Sequence, residues 1–405
     1  MRRRWLLAAG GASVLGVGTA GATLLPDRTE AAPLPRLLSG PDWYDADPRA
    51  ESAWLATGRV PGAAGPHGGL VRRALLDLRA LTGPDGAVAA GPAPSWAYAW
   101  PRDSAFAAAA LARTGHLDDA DRILRFLARV QLPDGGFEAR YRLDGRGTPD
   151  DRRRQVDGAG WSLWALRAAL DADPDAASAR DRAQEHRDLL DRAVEFTLDR
   201  TAGGTRLPDP SPDYWELSER SLTLGAVAPL VAGLRAGAAV LSRLRDRRRA
   251  RTVSGAAGTL AGLVRERFAP AGWTRYGGGR GDGVDAAVTF CLPPFAARAD
   301  HDVLQALDAY QVLARQPAGG LAPGAGWRRK DALSWTPETA LVALAEAACG
   351  RTAQADAWLT WFGAHLTDWG SLPEKVLPDG APAGPAPLGW TAACVVLAVD
   401  TLGRG

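Results

Sequence analysis

Residues 118–136 read DDADRILRFLARVQLPDGG and contain both features that decide the fold. Ile123, Phe126 and Val130 recur at the spacing of one helix face, and arginines occupy the intervening positions. The helical pattern then stops at Leu-Pro-Asp-Gly-Gly, a sequence with the residues that tight turns need. This stretch predicts an amphipathic helix followed by a tight turn, which is one arm of a helical hairpin.

The same pattern recurs from about residue 67 to the end of the chain, and strand signals are few. Further apolar helical segments lie near residues 68–82, 103–114, 158–171, 189–198, 218–242, 253–268, 284–296, 302–314, 337–348, 353–366 and 388–402. Periodicity by itself predicts an all-α chain of helical hairpins packed side by side. Six such hairpins closed into a ring form an (α/α)6 toroid, with a cup at one end.

Composition narrows the function classes. The 405 residues are 46% apolar and 23% charged, which excludes a wholly disordered or collagen-like chain. The 48 Lys and Arg residues nearly balance 46 Asp and Glu residues, so we expect no nucleic-acid partner. The 15 Trp residues outnumber the 8 Phe and 6 Tyr residues. Because an indole ring combines a flat apolar face with a polar N–H group, this excess suits the binding of sugar rings.

Residues 1–25 have the pattern of an export signal. Arg2, Arg3 and Arg4 precede an uncharged run, and Ala20-Gly21-Ala22 has the small residues of a cleavage site. We expect either a cleaved signal or an N-terminal anchor, and therefore an exported protein. Contact with a membrane is expected only through this segment if it is not cleaved.

The rest of the chain is predicted to form one domain. Residues 26–66 are rich in Pro, Gly and Ala and are expected to form an extended lead-in. Residues 67–405 show no internal boundary and are expected to form the toroid, acting as a monomer.

No metal site is expected. Cys291, Cys349 and Cys394 lie in apolar stretches and form no Cys-x-x-Cys or Cys/His pair, which predicts free thiols. The five His residues are scattered without metal-ligand spacing.

Four segments place charged and aromatic residues where loops meet helices. They are WAYAWPRDS (96–104), QVDGAGW (155–161), YWELSER (214–220), and GSLPEK (370–375) with PLGW (387–390). Each also has an ordinary structural interpretation: Asp103 suits a first helical turn, Asp157 suits an N-cap, and a loop Glu is usually solvated. Two carboxyl groups are what acetal hydrolysis requires, one as acid and one as base, but only the fold can bring Glu216 and Glu374 together.

The order of these motifs resembles glycoside hydrolase family 15, the glucoamylase and glucodextranase group. The matching motifs are Trp-Pro-Arg-Asp, Gln-x-Asp-Gly, Tyr-Trp-Glu, Pro-Glu-Lys and Pro-Leu-Gly-Trp, from about residue 67 to the C-terminus. The resemblance implies the (α/α)6 toroid. It also implies exo-acting hydrolysis of terminal non-reducing α-linked glucose from oligo- or polysaccharides, with inversion of configuration and without a cofactor or metal.

The resemblance assigns roles to particular residues. Glu216 would be the general acid and Glu374 the general base, with Glu219 a lesser candidate for the acid. It implies six substrate-binding residues: Trp100, Arg102, Asp103, Asp157, Trp215 and Trp390.

One departure from the family concerns the base. Lys375 stands where glucoamylases commonly have Gln. A positive neighbour lowers a carboxyl pKa, so Lys375 is expected to keep Glu374 ionised. Burial near Trp215 is expected to raise the pKa of Glu216, which would separate the two roles.

Two alternatives remain open from the sequence. One is an exported glycan-binding toroid in which catalysis is lost or weak. The other is a terpene-cyclase-like toroid, because residues 131–137 resemble its Gln-x-x-Asp-Gly-Gly turn. The Asp-rich cluster of such cyclases is missing from the sequence, which disfavours the second alternative. The glucosidic linkage, α-1,4, α-1,6 or α,α-1,1, is not specified by the motifs.

Overall fold

Helices make up nearly all of the regular structure in the computed structural model, which describes residues 47–279, 282–327 and 331–404. The described residues belong to one compact unit. The predicted export signal and most of the lead-in lie outside them. The α-helices are α1 Pro48–Ala56, α2 Gly68–Leu81, α3 Pro101–Arg113, α4 Leu117–Val130, α5 Asp157–Ala172, α6 Ala176–Glu185, α7 Arg187–Arg200, α8 Leu224–Arg243, α9 Arg247–Phe268, α10 His301–Leu313, α11 Thr336–Ala348, α12 Thr352–Ala364 and α13 Gly389–Leu402.

The helices form a closed double ring. The inner ring consists of α3, α5, α8, a short 3-10 helix at Ala286–Cys291, α11 and α13, and each element packs against the next until α13 returns to α3. Behind them lie α4, α7, α9, α10, α12 and α2. The sixth pair joins α13 to α2, so the two ends of the domain close the ring together. The predicted all-α (α/α)6 toroid is confirmed.

Sequence composition separates the two rings. The inner helix α8 reads LGAVAPLVAGLRAGAAVLSR and is buried on nearly all sides. It is long and apolar enough to cross a membrane, but 89% of its apolar window is buried inside the protein. The outer helix α4 is amphipathic, with Ile123, Phe126 and Val130 buried and its arginines at the surface. A helix that is apolar all round needs neighbours on every side, which only the inner ring provides.

The structure differs from the predicted helices at three elements. The predicted helix near residues 284–296 is only the 3-10 helix Ala286–Cys291. Pro293 and Pro294 follow at once, and proline cannot continue a helix because it lacks the backbone N–H group. The other two are helices that the sequence analysis does not predict: α1 lies within the predicted extended lead-in, and α6 lies between the predicted segments 158–171 and 189–198.

The motif segments meet at one end of the ring because they precede inner helices. Trp100 directly precedes α3, Asp157 begins α5, and Trp390 is the second residue of α13. A small antiparallel sheet lies beside them, formed by β1 Ser334–Trp335, β2 Lys375–Val376 and β3 Pro382–Ala383. Its register places Trp335 opposite Lys375.

Two glycines allow α5 and α8 to approach closely. A Cβ atom added to Gly233 would lie 2.5 Å from the Cα atom of Gly160, and one added to Gly160 would lie 2.2 Å from the carbonyl oxygen of Pro229. These neighbours are backbone atoms and cannot rotate away.

We therefore predict that Gly233→Ala lowers the free energy of unfolding by about 1–3 kcal/mol, since the two helices must move apart. Gly255→Ala is the matched control, because Gly255 lies in α9 with open space at its Cβ position. The control should raise stability by about 0.5–1 kcal/mol through helix propensity. Denaturant titration measures both, and equal stabilities for the two variants would contradict the close helix contact.

Candidate active site

One cavity of about 330 Å³ lies at the end of the ring where the motifs meet. Seven of the eight predicted site residues line it: Trp100, Arg102, Asp103, Trp215, Glu216, Glu374 and Trp390. The fold thus brings together segments that are far apart in sequence, including the two candidate catalytic glutamates.

Arg102 holds three segments of the site together. Its Nη1 donates to Gln155 Oε1 at 3.0 Å and to Asp157 Oδ2 at 3.1 Å, and its Nη2 donates to Glu216 Oε1 at 3.2 Å. The side chain is only 5% exposed, and its guanidinium carbon lies 4.8 Å from the ring centre of Trp390. Burial lowers the pKa of Arg102. The surrounding carboxylates together raise it by more, so the net pKa lies well above the ordinary value.

Asp157 is the one predicted site residue that does not line the cavity. Its carboxylate accepts the Arg102 bond and a bond from Trp161 Nε1 at 3.2 Å. Burial raises the pKa of Asp157, while Arg102 opposes that shift. Asp157 is therefore a positioning residue for Arg102, and its side chain does not serve as the N-cap of α5.

Asp103 faces the cavity from the first turn of α3. Burial raises its pKa to about 6 against the opposing effect of Arg102. Its carboxylate is an acceptor for sugar hydroxyl groups at neutral pH, and the helix N-terminus favours negative charge at this position.

Glu216 lies in the loop before α8 with a backbone φ of 56°, in the left-handed region. Its Oε1 also accepts from Gln155 Nε2 at 2.7 Å, and its Oε2 accepts from Arg152 Nη1 at 2.9 Å. The side chain is 26% exposed. The carboxyl is therefore only partly buried, and it lies between Arg102 and Arg152.

Glu374 lies on the cavity wall immediately before β2 and is buried. Lys375 Nζ is 3.0 Å from Glu374 Oε2. Burial raises the pKa of Glu374, whereas Lys375 and a hydrogen bond from Trp96 lower it, and the net pKa is raised. Lys375 thus has the predicted lowering effect, but burial has the larger effect. A Cβ atom added at Gly384 would lie 2.7 Å from Oε2, so this glycine leaves room for the carboxylate.

Tryptophans beyond those predicted form part of the cavity wall. Trp215 packs edge-on against Trp327 with ring centres 4.9 Å apart, and Trp327 packs against Trp335 at 5.4 Å. Lys375 Nζ lies 4.3 Å from the ring centre of Trp335. Trp96 also lines the cavity. Trp96, Trp327 and Trp335 all lie just before inner helices, and this position could have predicted from the sequence that they line the cavity.

Glu219, the lesser candidate for the acid, does not line the cavity. Its carboxylate accepts from Arg275 Nη2 at 2.9 Å and from the Tyr276 hydroxyl at 3.1 Å. Arg275 also pairs with Asp213 at 2.8 Å and its guanidinium carbon lies 3.8 Å from the ring centre of Trp215. Glu219 therefore helps to hold the loop that carries Trp215 and Glu216.

Glu338 is a cavity residue that the sequence analysis missed. It lies in the first turn of α11, is 4% exposed, and its Oε2 has no hydrogen-bond partner among the described residues. Burial raises the pKa of Glu338 to about 8. This shift favours the protonated carboxylic acid at neutral pH.

The turn that resembles a terpene-cyclase motif has a structural role. Gln131 Nε2 donates to the carbonyl of Gly135 at 2.9 Å, and Asp134 Oδ1 accepts from the N–H group of Gly136 at 3.1 Å. Neither Gln131 nor Asp134 lines the cavity. These bonds close the turn after α4, so the segment gives no support to the cyclase alternative.

Comparison with known proteins finds the family in the segment that carries the first motif. The family described as glycosyl hydrolases family 15 matches residues 66–154. An uncharacterized glycosyl hydrolase of Methanocaldococcus jannaschii is 31% identical over 99 residues, which are 24% of this chain and 16% of that protein. The predicted resemblance to family 15 is confirmed, most directly in the segment that carries Trp100, Arg102 and Asp103.

Solved structures share the fold. A glycosidase variant in complex with glucose superimposes with a TM-score of 0.70 at 20% identity, over 89% of this chain and 99% of that chain. A bacterial glucoamylase complexed with acarbose has a TM-score of 0.68 at 17% identity, over 87% of this chain and 58% of that chain. At these identities the likeness shows the architecture and leaves the activity to be argued from the site.

Proposed function

We propose that this protein is an inverting glycoside hydrolase that releases glucose from the non-reducing ends of α-linked oligo- or polysaccharides. The observation that carries the proposal is that Glu216 and Glu374 line one cavity together with Arg102 and Asp103. The family match and the glucoamylase-like fold support hydrolysis of a glycosidic bond.

The proposal gives each glutamate one proton-transfer step. Glu216 donates a proton to the glycosidic oxygen as the bond to the leaving sugar breaks. Glu374 accepts a proton from a water molecule, which attacks the anomeric carbon from the opposite face of the ring. Lys375 and Trp96 favour the ionised base against the effect of burial.

Arg152 has to give up its contact with Glu216 before the acid can act. Its side chain is 41% exposed and also bonds Asp150 at 3.1 Å, so it can withdraw into solvent without leaving a buried charge unpaired. We propose that the incoming sugar replaces Arg152 at Glu216 Oε2. Arg102 and Asp103 then bind hydroxyl groups of the terminal glucose, with Trp100, Trp215 and Trp390 against its apolar faces.

The N-terminal sequence supports a proposal about the cellular location. We propose that residues 1–25 direct export, either as a cleaved signal or as an anchor in the membrane, and that the toroid acts as a monomer. Fractionation of producing cells and light scattering of the purified protein check both points. Retention in the cytoplasm would contradict export.

We predict that the wild-type protein releases glucose from at least one of maltose, isomaltose, trehalose, dextran and starch. Glu216→Gln and Glu374→Gln should each lower turnover by about 10²–10⁴-fold, because each removes a proton-transfer group. Steady-state glucose release measures this. Binding of these sugars without any hydrolysis would favour the non-catalytic glycan-binding alternative.

Glu219→Gln is the discriminating control. Since Glu219 pairs with Arg275 outside the cavity, its replacement should lower the melting temperature while turnover stays within a few-fold of wild type. A loss of turnover in Glu219→Gln as large as in Glu216→Gln would transfer the acid role to Glu219.

A further inference from the structure

Glu338 enters the cavity from an inner helix that supplies no other candidate catalytic group. It follows Trp335 and Pro337 at the start of α11, and both of these residues also line the cavity. The first turn of α11 is fixed from behind, because Thr336 N donates to the carbonyl of Glu374 at 3.0 Å. This backbone hydrogen bond fixes the position of Glu338 relative to the candidate base Glu374.

The Glu338 carboxyl group has hydrogen-bonding capacity that the described residues do not use. One oxygen receives a bond from its own backbone N–H group, while Oε2 is buried and has no partner among the described residues. An unpaired buried polar atom costs about 1–3 kcal/mol. Because Glu338 lines the cavity, a ligand there could supply the missing bond.

We infer that Glu338 is a substrate-binding residue whose carboxyl group bonds a hydroxyl group of the sugar held between Glu216 and Glu374. This inference rests on the proposed function and deepens it, because it adds a determinant of which sugar ring the cavity accepts. A sugar that lacks that hydroxyl, or carries it in the other configuration, would leave Oε2 unpaired.

The protonation state of Glu338 suits a hydroxyl ligand. Burial is the largest cause of its raised pKa, Glu374 raises it further, and Arg102 and Lys375 lower it. When Glu338 ionises, its charge also raises the pKa of Tyr310 and of Cys394. A protonated carboxyl has one O–H donor and an acceptor oxygen, whereas Arg102 only donates. It therefore matches a hydroxyl group, which both donates and accepts.

The test combines enzyme variants with substrates that lack one hydroxyl group. We compare wild type, Glu338→Gln and Glu338→Leu on an aryl α-glucoside and on its 2-, 3-, 4- and 6-deoxy analogues. Glu338→Leu should lower kcat/KM for the parent glucoside by about 10–100-fold, as expected when a buried hydrogen bond is lost. For the analogue that lacks the contacted hydroxyl, the same variant should lose less than about threefold. Equal losses on the parent and on every analogue would overturn the inference.

The conservative variant Glu338→Gln adds a second measurement, the pH dependence of kcat/KM. This pH dependence would not change if Glu338 had only a structural role. Glu338→Gln keeps a donor and an acceptor but cannot ionise. Wild-type kcat/KM should fall as the pH rises through about 8, where Glu338 loses its proton beside Glu374. In Glu338→Gln that part of the alkaline decline should disappear. An unchanged alkaline limb would count against contact between Glu338 and the substrate.

Glu346→Gln serves as the matched control. Glu346 is buried in the same helix but pairs with Arg351 at 2.9 Å and with Gln311 at 2.8 Å, away from the cavity. Its replacement should change kcat/KM equally little on all substrates. Circular dichroism of each variant confirms that it is folded before the comparison is made.

A binding measurement separates this inference from the proposed function. If wild type hydrolyses none of the glucosides, calorimetric titration of glucose and its deoxy derivatives into wild type and Glu338→Gln or Glu338→Leu replaces the kinetics. Loss of affinity in Glu338→Leu that is confined to sugars with one particular hydroxyl would support the contact although hydrolysis has failed. Equal affinities of wild type and Glu338→Leu for glucose would overturn it.

Discussion

The buried guanidinium of Arg102 is the interaction on which the arrangement of the cavity depends. One cation contacts Gln155 and Asp157 of one segment and Glu216 of another, while it lies over the ring of Trp390. Removing one partner of a buried charge pair costs about 3–5 kcal/mol, so these segments are stable only when assembled around it. Ring closure brings the segments to one end of the toroid, and Arg102 then fixes their relative positions.

Much of the fold could be predicted from local patterns, and the exceptions have physical reasons. Helix α4 is apolar on one side only, which predicts an outer helix with one face in water. Helix α8 is apolar all round, which predicts an inner helix surrounded by protein. The apolar run at 284–296 is equally compatible with a short 3-10 turn, and the prolines after it decide the outcome. Helix α1 is not predicted because residues 26–66 are rich in Pro, Gly and Ala. Asp47, which caps it, and Pro48, its first residue, are nevertheless ordinary helix-start signals.

Site residues that belong to sequence motifs could be predicted. Properties that depend on burial in the folded protein could not. Arg102, Glu216 and Glu374 were found through motif order. Glu338 escaped notice because an acidic residue after proline in a first helical turn is an ordinary helix-start signal. The net pKa shift of Glu374 could not be predicted for a related reason: its neighbour Lys375 is visible in the sequence, but the burial of Glu374 is not.

The central claim is that Glu216 and Glu374 act as acid and base on opposite faces of one sugar ring, with water between the base and the anomeric carbon. Proton NMR of the first product, recorded before mutarotation on an α-glucoside that the protein cleaves, tests this most directly. The account predicts β-glucose as the first product. If α-glucose appears first, the reaction retains configuration, and the water-activating role of Glu374 is contradicted.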